Sequence, residues 1–166
     1  AAAHAAGLTV SCDINYRKNL WKYGKEPQEV LPPLMEQCDI FFGTDDEYEK
    51  VLGMHLPRFE ARDASYQPDT AGYERASAEV AARFPRCRGI VFGLRSVLSA
   101  NHHLISGTLY TGGRLLSTRV YDIDNVVDCV GVGDAFVGGL IYGMAEHAGD
   151  MQFALDFGTA ACALKN

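Results

Sequence analysis

The sequence predicts an α/β fold with a mostly parallel sheet and one antiparallel hairpin. Three observations predict it. Short apolar runs alternate with helical patterns as strand, helix, strand, helix, strand, the order that builds parallel sheets. A later run, HLISGTLYTGGRLLSTRVYDI, divides at Thr111-Gly112-Gly113, a turn signal between two strand-like segments. Finally, VDCVGVGDAFVGGLIYG (Val127 to Gly143) sets a glycine turn before an apolar helical run.

The elements follow in order. AAAHAA reads as the last turns of a helix stopped by Gly7. LTVSCDI (Leu8 to Ile14) is β-branched and apolar and reads as a buried strand. NYRKNLWKYGKE is a polar loop with Trp21 as its anchor. Pro27 to Gln37 reads as a helix, CDIFFG (Cys38 to Gly43) as a second strand, and TDDEYEKVLG as a short helix ended by Gly53. A polar linker with Pro57 and Pro68 leads to a helix over Tyr73 to Phe84, then a third strand, GIVFG (Gly89 to Gly93). Two helices end the chain; the last, MQFALDFGTAACALKN, is rich in small residues.

With 166 residues and 48% hydrophobic content, one domain with a sizeable core is expected. The net charge of -6 argues against a nucleic-acid face, which needs clustered Lys and Arg. Cys12, Cys38, Cys87, Cys129 and Cys162 are odd in number and widely spaced. That opposes a disulfide framework or zinc site and fits a reducing cytoplasm. No apolar run approaches the ~18 residues of a membrane span. The N-terminus lacks a basic signal-peptide region. Because both ends fall inside helical patterns, the chain is expected to be part of a longer one.

Ligands of parallel α/β sheets bind beyond the carboxyl ends of the strands. Asp13, Asn15, Gly43, Thr44, Gly93 and Arg95 are expected just past strand ends, at one edge with the Gly131–Asp134 turn. Within GVGDAF, Gly131 and Gly133 permit close backbone approach. The free N–H groups of a helix start, with the helix dipole, can hold an anion. Asp134 falls in the first helical turn, where it could take a proton from a hydroxyl. The alternative is that Asp128 or Asp134 caps a core helix. GxGxxG fails at Phe136, and a Walker A loop fails at Gly139-Leu140.

Asp128-Cys129-Val130-Gly131-Val132-Gly133-Asp134 resembles the D-T-x-G-A-G-D signature of the PfkB (ribokinase-like) sugar kinases. VSCDINYRKNLW resembles the D-x-N-x-R-x-x-L-W stretch of the 2-keto-3-deoxygluconate kinase subgroup, as do GLRSVLSANHHLISGT and DAFVGGLIYG. The resemblance implies a ribokinase-like three-layer sandwich, truncated at both ends, with residues 1–166 forming a partial kinase domain. It also implies ATP-dependent phosphorylation of 2-dehydro-3-deoxy-D-gluconate at its 6-hydroxyl. Asp134 is then the general base, and Gly131, Val132 and Gly133 form the anion hole. Arg17 holds the sugar-acid carboxylate or lies near phosphates, and Asn15, Thr44, Gly93, Leu94 and Arg95 line the nucleotide site. Glu47 is placed near magnesium through waters.

The sequence departs from the signature at Cys129 for Thr, and at Val132 for Ala or Gly, a side chain expected to crowd the anion hole. Thr44 stands where the family's N-x-x-E motif has Asn, and Thr44-Asp45-Asp46-Glu47 reads equally as a capping box. His102-His103 is a poor metal pair, since adjacent strand residues face opposite ways. Gly139-x-x-x-Gly143 is expected to let its helix approach the sheet. The resemblance implies a sugar acid and ATP as partners and leaves room for a homo-oligomer. The 166-residue chain alone is expected to have little or no activity. A non-catalytic kinase remnant, or a kinase for another sugar such as fructose, remains the alternative.

Overall fold

A computed structural model describes residues 2–166. The elements are α1 (Ala2–Ala5), β1 (Ser11–Asp13), α2 (Pro27–Met35), β2 (Ile40–Gly43), α3 (Asp45–Leu52), α4 (Thr70–Arg83), β3 (Gly89–Ser99), β4 (His102–Thr111), β5 (Arg114–Ser117), β6 (Tyr121–Ile123), α5 (Val132–Glu146) and α6 (Met151–Lys165). The hydrogen-bonded strand order is β1-β2-β3-β4-β5, with β6 on β4. The α/β class is as expected. β2 pairs in parallel with both β1 and β3, whereas β4 and β6 run antiparallel.

The chain divides into two compact units. The first holds Ala1–Pro57, Ala71–Phe92 and Tyr110–Leu115; the second holds Arg58–Thr70, Gly93–Leu109 and Leu116–Asn166. The first unit buries a cluster of aromatic residues. Phe41 meets Phe84 edge-on at 5.2 Å between ring centroids. Phe92 lies 4.4 Å from Tyr48 and 5.3 Å from Tyr73. The buried Tyr48 hydroxyl donates to the Val91 carbonyl at 3.3 Å, so the phenol brings no unpaired donor into the core.

The strand expected over residues 8–14 is reduced to Ser11–Asp13, with Leu8 61% exposed. β1 ends the hydrogen-bonded path, and an edge strand has neighbours on one side only. Apolar composition does not distinguish it from a central strand. α4 begins at Thr70 rather than Tyr73, a boundary shift within the first helical turn.

The third strand departs further. It does not stop at Gly93 but continues to Ser99, turns at Ala100–Asn101 and returns as β4. Gly93, Leu94 and Arg95 therefore lie inside β3, not past its end. Leu94 is buried in the second unit's core. Arg95, Ser96 and Ser99 broke the apolar run and hid this hairpin from the sequence reading. The second hairpin falls at Gly112 and Gly113, whose φ values are 58 and 79, the doubly positive turn that suits antiparallel strands.

The second unit's core includes Leu104, Ile105, Leu109, Phe136, Leu140 and Leu155. Gly139 and Gly143 face α6, not the sheet. A Cβ on Gly139 would lie 2.9 Å from the Gly158 Cα, and one on Gly143 would lie 2.5 Å from the Ala154 Cα. The small residues of α6 repeat the four-residue spacing, so the two helices meet backbone to backbone. No helix is long and apolar enough to cross a membrane among the described residues.

Candidate active site

In the first unit, Ile14 continues the pairing of β1 by donating its N–H to Phe42 at 2.9 Å. Asn15 then turns the chain with φ 43, a conformation asparagine tolerates better than most residues. The Arg17 carbonyl accepts from Leu20 and Trp21 N–H at 2.9 and 3.1 Å. Trp21 donates its indole N–H to the Lys25 carbonyl at 2.7 Å and lies between Tyr16 and Tyr23 at 5.9 and 5.3 Å. The expected anchor role of Trp21 is met. The Arg17 guanidinium is exposed, with no hydrogen bond or ion pair among the described residues.

Thr44 caps α3. Its hydroxyl accepts from Glu47 N–H at 3.4 Å, and Glu47 Oε2 accepts from the Thr44 N–H at 2.9 Å and its hydroxyl at 3.1 Å. The capping box read from the sequence is present. No group of three or more His, Cys, Asp or Glu is arranged to hold a metal among the described residues. Both cap bonds to the Glu47 carboxylate fall on Oε2.

In the second unit, the two acids of the glycine turn have separate duties. Asp128 Oδ1 accepts from the Val130 N–H at 2.9 Å. Lys165 Nζ reaches the Asp128 carbonyl at 3.3 Å and Oδ2 at 3.4 Å. The Val130 amide, and then the Lys165 charge, hold the Asp128 carboxyl below its ordinary range. The Asn166 carbonyl accepts from Val127 N–H at 2.7 Å. The end of α6 thus fixes the approach to the turn.

Gly131 is the N-cap of α5, with φ 78 and no side-chain capping bond. Neither acid caps this helix. Ala135 N–H makes the first intrahelical bond, to the Gly131 carbonyl at 2.9 Å. The amides of Val132, Gly133 and Asp134 precede it and have no intrahelical acceptor. A Cβ on Gly133 would meet no atom within 4 Å, so the space over the turn is open. Val132 is buried. Its side chain enters the core, which corrects the expectation that it crowds the turn. The Asp134 carboxylate is exposed and has no hydrogen bond or ion pair among the described residues.

Within this unit, Gly131, Val132, Gly133 and Asp134 form one turn. The burial of Leu94 leaves its side chain nothing to offer a ligand, while the Arg95 side chain is exposed. Sequence reasoning missed Lys165 and Asn166. A contact spanning 37 residues leaves no mark in local pattern.

Residues 107–165, which include this turn and both following helices, match the pfkB family carbohydrate kinase pattern. These residues resemble the pfkB carbohydrate kinases. A crystal structure of 2-dehydro-3-deoxygluconokinase from Thermotoga maritima is 32% identical, with a TM-score of 0.83 over 99% of this chain and 46% of that one. A 2-dehydro-3-deoxygalactonokinase from Haloferax volcanii is 28% identical over 98% of this chain and 43% of its own length. An aminoimidazole riboside kinase from Salmonella enterica, solved with aminoimidazole riboside and an ATP analog, shares the fold at 21% identity and a TM-score of 0.67, over 97% of this chain and 46% of that one. The chain spans less than half the length of these relatives.

Proposed function

We propose that residues 1–166 are part of a pfkB-type kinase that transfers the terminal phosphoryl group of ATP to a sugar acid. The substrate is 2-dehydro-3-deoxy-D-gluconate, phosphorylated at its 6-hydroxyl. The observation that carries the reading is Asp134: an exposed carboxylate, without a partner among the described residues, in the first turn of a helix that has no side-chain cap. The proteins from Thermotoga and Haloferax named above both take dehydro-deoxy sugar acids by name. The ATP analog in the Salmonella kinase supports ATP as donor.

The chemistry follows from the turn. Asp134 accepts the proton of the attacking hydroxyl, which is typically worth ~10²–10⁴-fold in rate. The Gly131–Asp134 amides face the charge that develops on the transferring group, aided by the helix dipole. Arg17 offers a planar fork suited to a carboxylate. Asn15, Gly93 and Arg95 would serve the nucleotide, with Thr44 contributing only what its cap leaves free. Magnesium would offset phosphate charge when it arrives with ATP, and Glu47 would meet it through waters.

The test is ATP-dependent phosphorylation by the longest natural form of the protein, offered sugar acids and neutral sugars. Turnover of 2-dehydro-3-deoxygluconate is expected. Arg17→Ala should raise KM for the sugar acid far more than for a neutral sugar. Equal effects would remove the sugar-acid assignment. ATP binding without turnover of any sugar would replace the enzyme with a nucleotide-binding remnant.

A further inference from the structure

The Cys129 Sγ lies 3.9 Å from Nδ1 of His103. The thiol is exposed, whereas His103 is only 4% exposed. Among the described residues the His103 ring makes no other polar contact. A nearly buried imidazole is thus aimed at one accessible thiol. His102, facing the other way, is committed to Asp122 at 2.6 Å. The other four cysteines are placed differently. Burial pushes Cys12, Cys87 and Cys162 up to about 11 and raises Cys38 as well. Such thiols carry little of the reactive thiolate at neutral pH.

We infer that Cys129 is a thiol–disulfide exchange site, with His103 as its proton acceptor and small disulfides such as oxidised glutathione as its reactants. The Cys129 proton passes to His103 Nδ1 as the sulfur attacks one sulfur of the disulfide. A new S–S bond forms to Cys129, the old S–S bond breaks, and the departing glutathione thiolate takes the proton. One protein thiol and one oxidised glutathione become one mixed disulfide and one reduced glutathione. Cys129 stands two residues before Gly131, so the adduct brings its carboxylates to the open turn. Loss of phosphoryl transfer is the consequence, and that consequence alone rests on the kinase reading.

The test treats the purified protein with oxidised glutathione near pH 7 and follows each cysteine by peptide mass spectrometry. Cys129 should react at least about tenfold faster than any other cysteine, since the thiolate is the nucleophile. It should also react at least about threefold faster in the folded chain than after urea unfolding, because only the fold holds the His103 proton acceptor beside the thiol. His103→Gln, checked for folding by circular dichroism, should abolish that folded-state advantage. An unchanged rate in folded His103→Gln would overturn the proposal. If this variant does not fold, the wild-type comparison decides, and a folded rate no greater than the unfolded rate overturns it. Turnover is read separately. Activity that survives full Cys129 modification overturns the blocking consequence, while adduct formation still supports the exchange site.

Discussion

The starts of α3 and α5 hold similar ingredients in opposite states. At α3, Thr44 and Glu47 bond to each other's backbone, and Glu47 Oε2 takes two donors. At α5, Gly131 has no side chain to cap with, and Asp134 in the first turn has no partner among the described residues. A helix start closed by its own side chains is stabilised. One left open keeps amides and a carboxylate for something outside the chain. Substitutions at α3 should therefore register in stability, and those at α5 in chemistry.

The largest separation is expected from Asp134→Asn. It keeps shape and removes the base, so kcat should fall by roughly 10²–10⁴-fold. Its thermal midpoint should stay near wild type, because no internal partner is lost. A matching fall in thermal stability would show the carboxylate to be structural and erase the contrast.

Glycines within α5 sharpen it next. Gly143→Val places a Cβ 2.5 Å from the Ala154 Cα, a backbone contact with no flexible side chain to yield. Overpacking of this kind costs about 1–3 kcal/mol or more, and a denaturant midpoint would record it. Gly133→Ala meets no atom within 4 Å. Its stability should change by no more than about 0.5 kcal/mol, while kcat/KM falls as the methyl enters the open face of the turn. The same helix thus separates packing glycines from the ligand-facing glycine.

Much of this was legible in the sequence, for identifiable reasons. Gly53 ending α3, the Thr44–Glu47 box and the Gly112-Gly113 turn are local signals, with the cause and the effect a few residues apart. The Gly131–Asp134 turn was legible as a motif. Its sequence could not assign the two acids, because the Lys165 contact that occupies Asp128 spans 37 residues. The β3–β4 hairpin was lost because exposed polar residues interrupt the apolar run after Phe92. The partner of Gly139 and Gly143 was misread because close approach reveals small residues, not what approaches them.

Thr44→Ala tests the closed helix start. Loss of an N-cap typically costs ~1 kcal/mol, and the Glu47 carboxylate loses its hydroxyl donor with it. Stability should fall by about that amount with kcat nearly unchanged. A larger effect on kcat than on stability would give Thr44 a direct role with nucleotide and weaken the division between the two helix starts.

The smallest effect concerns Asp128. Its carboxyl is held low by the Val130 amide first and Lys165 second, so folding favours its ionised form. The contribution is present above the ordinary carboxylate value of 3.8. It is lost as pH falls below that value and through the lower value in the folded chain. Because the group is exposed, solvent screening keeps the stability change small. The sensitive readout is the Val130 amide proton, whose NMR shift should titrate with Asp128 below pH 3.8. Asp128→Asn should abolish that titration, while Asp134→Asn should leave it intact. A Val130 response that followed Asp134 instead would reverse the division of labour between the two acids.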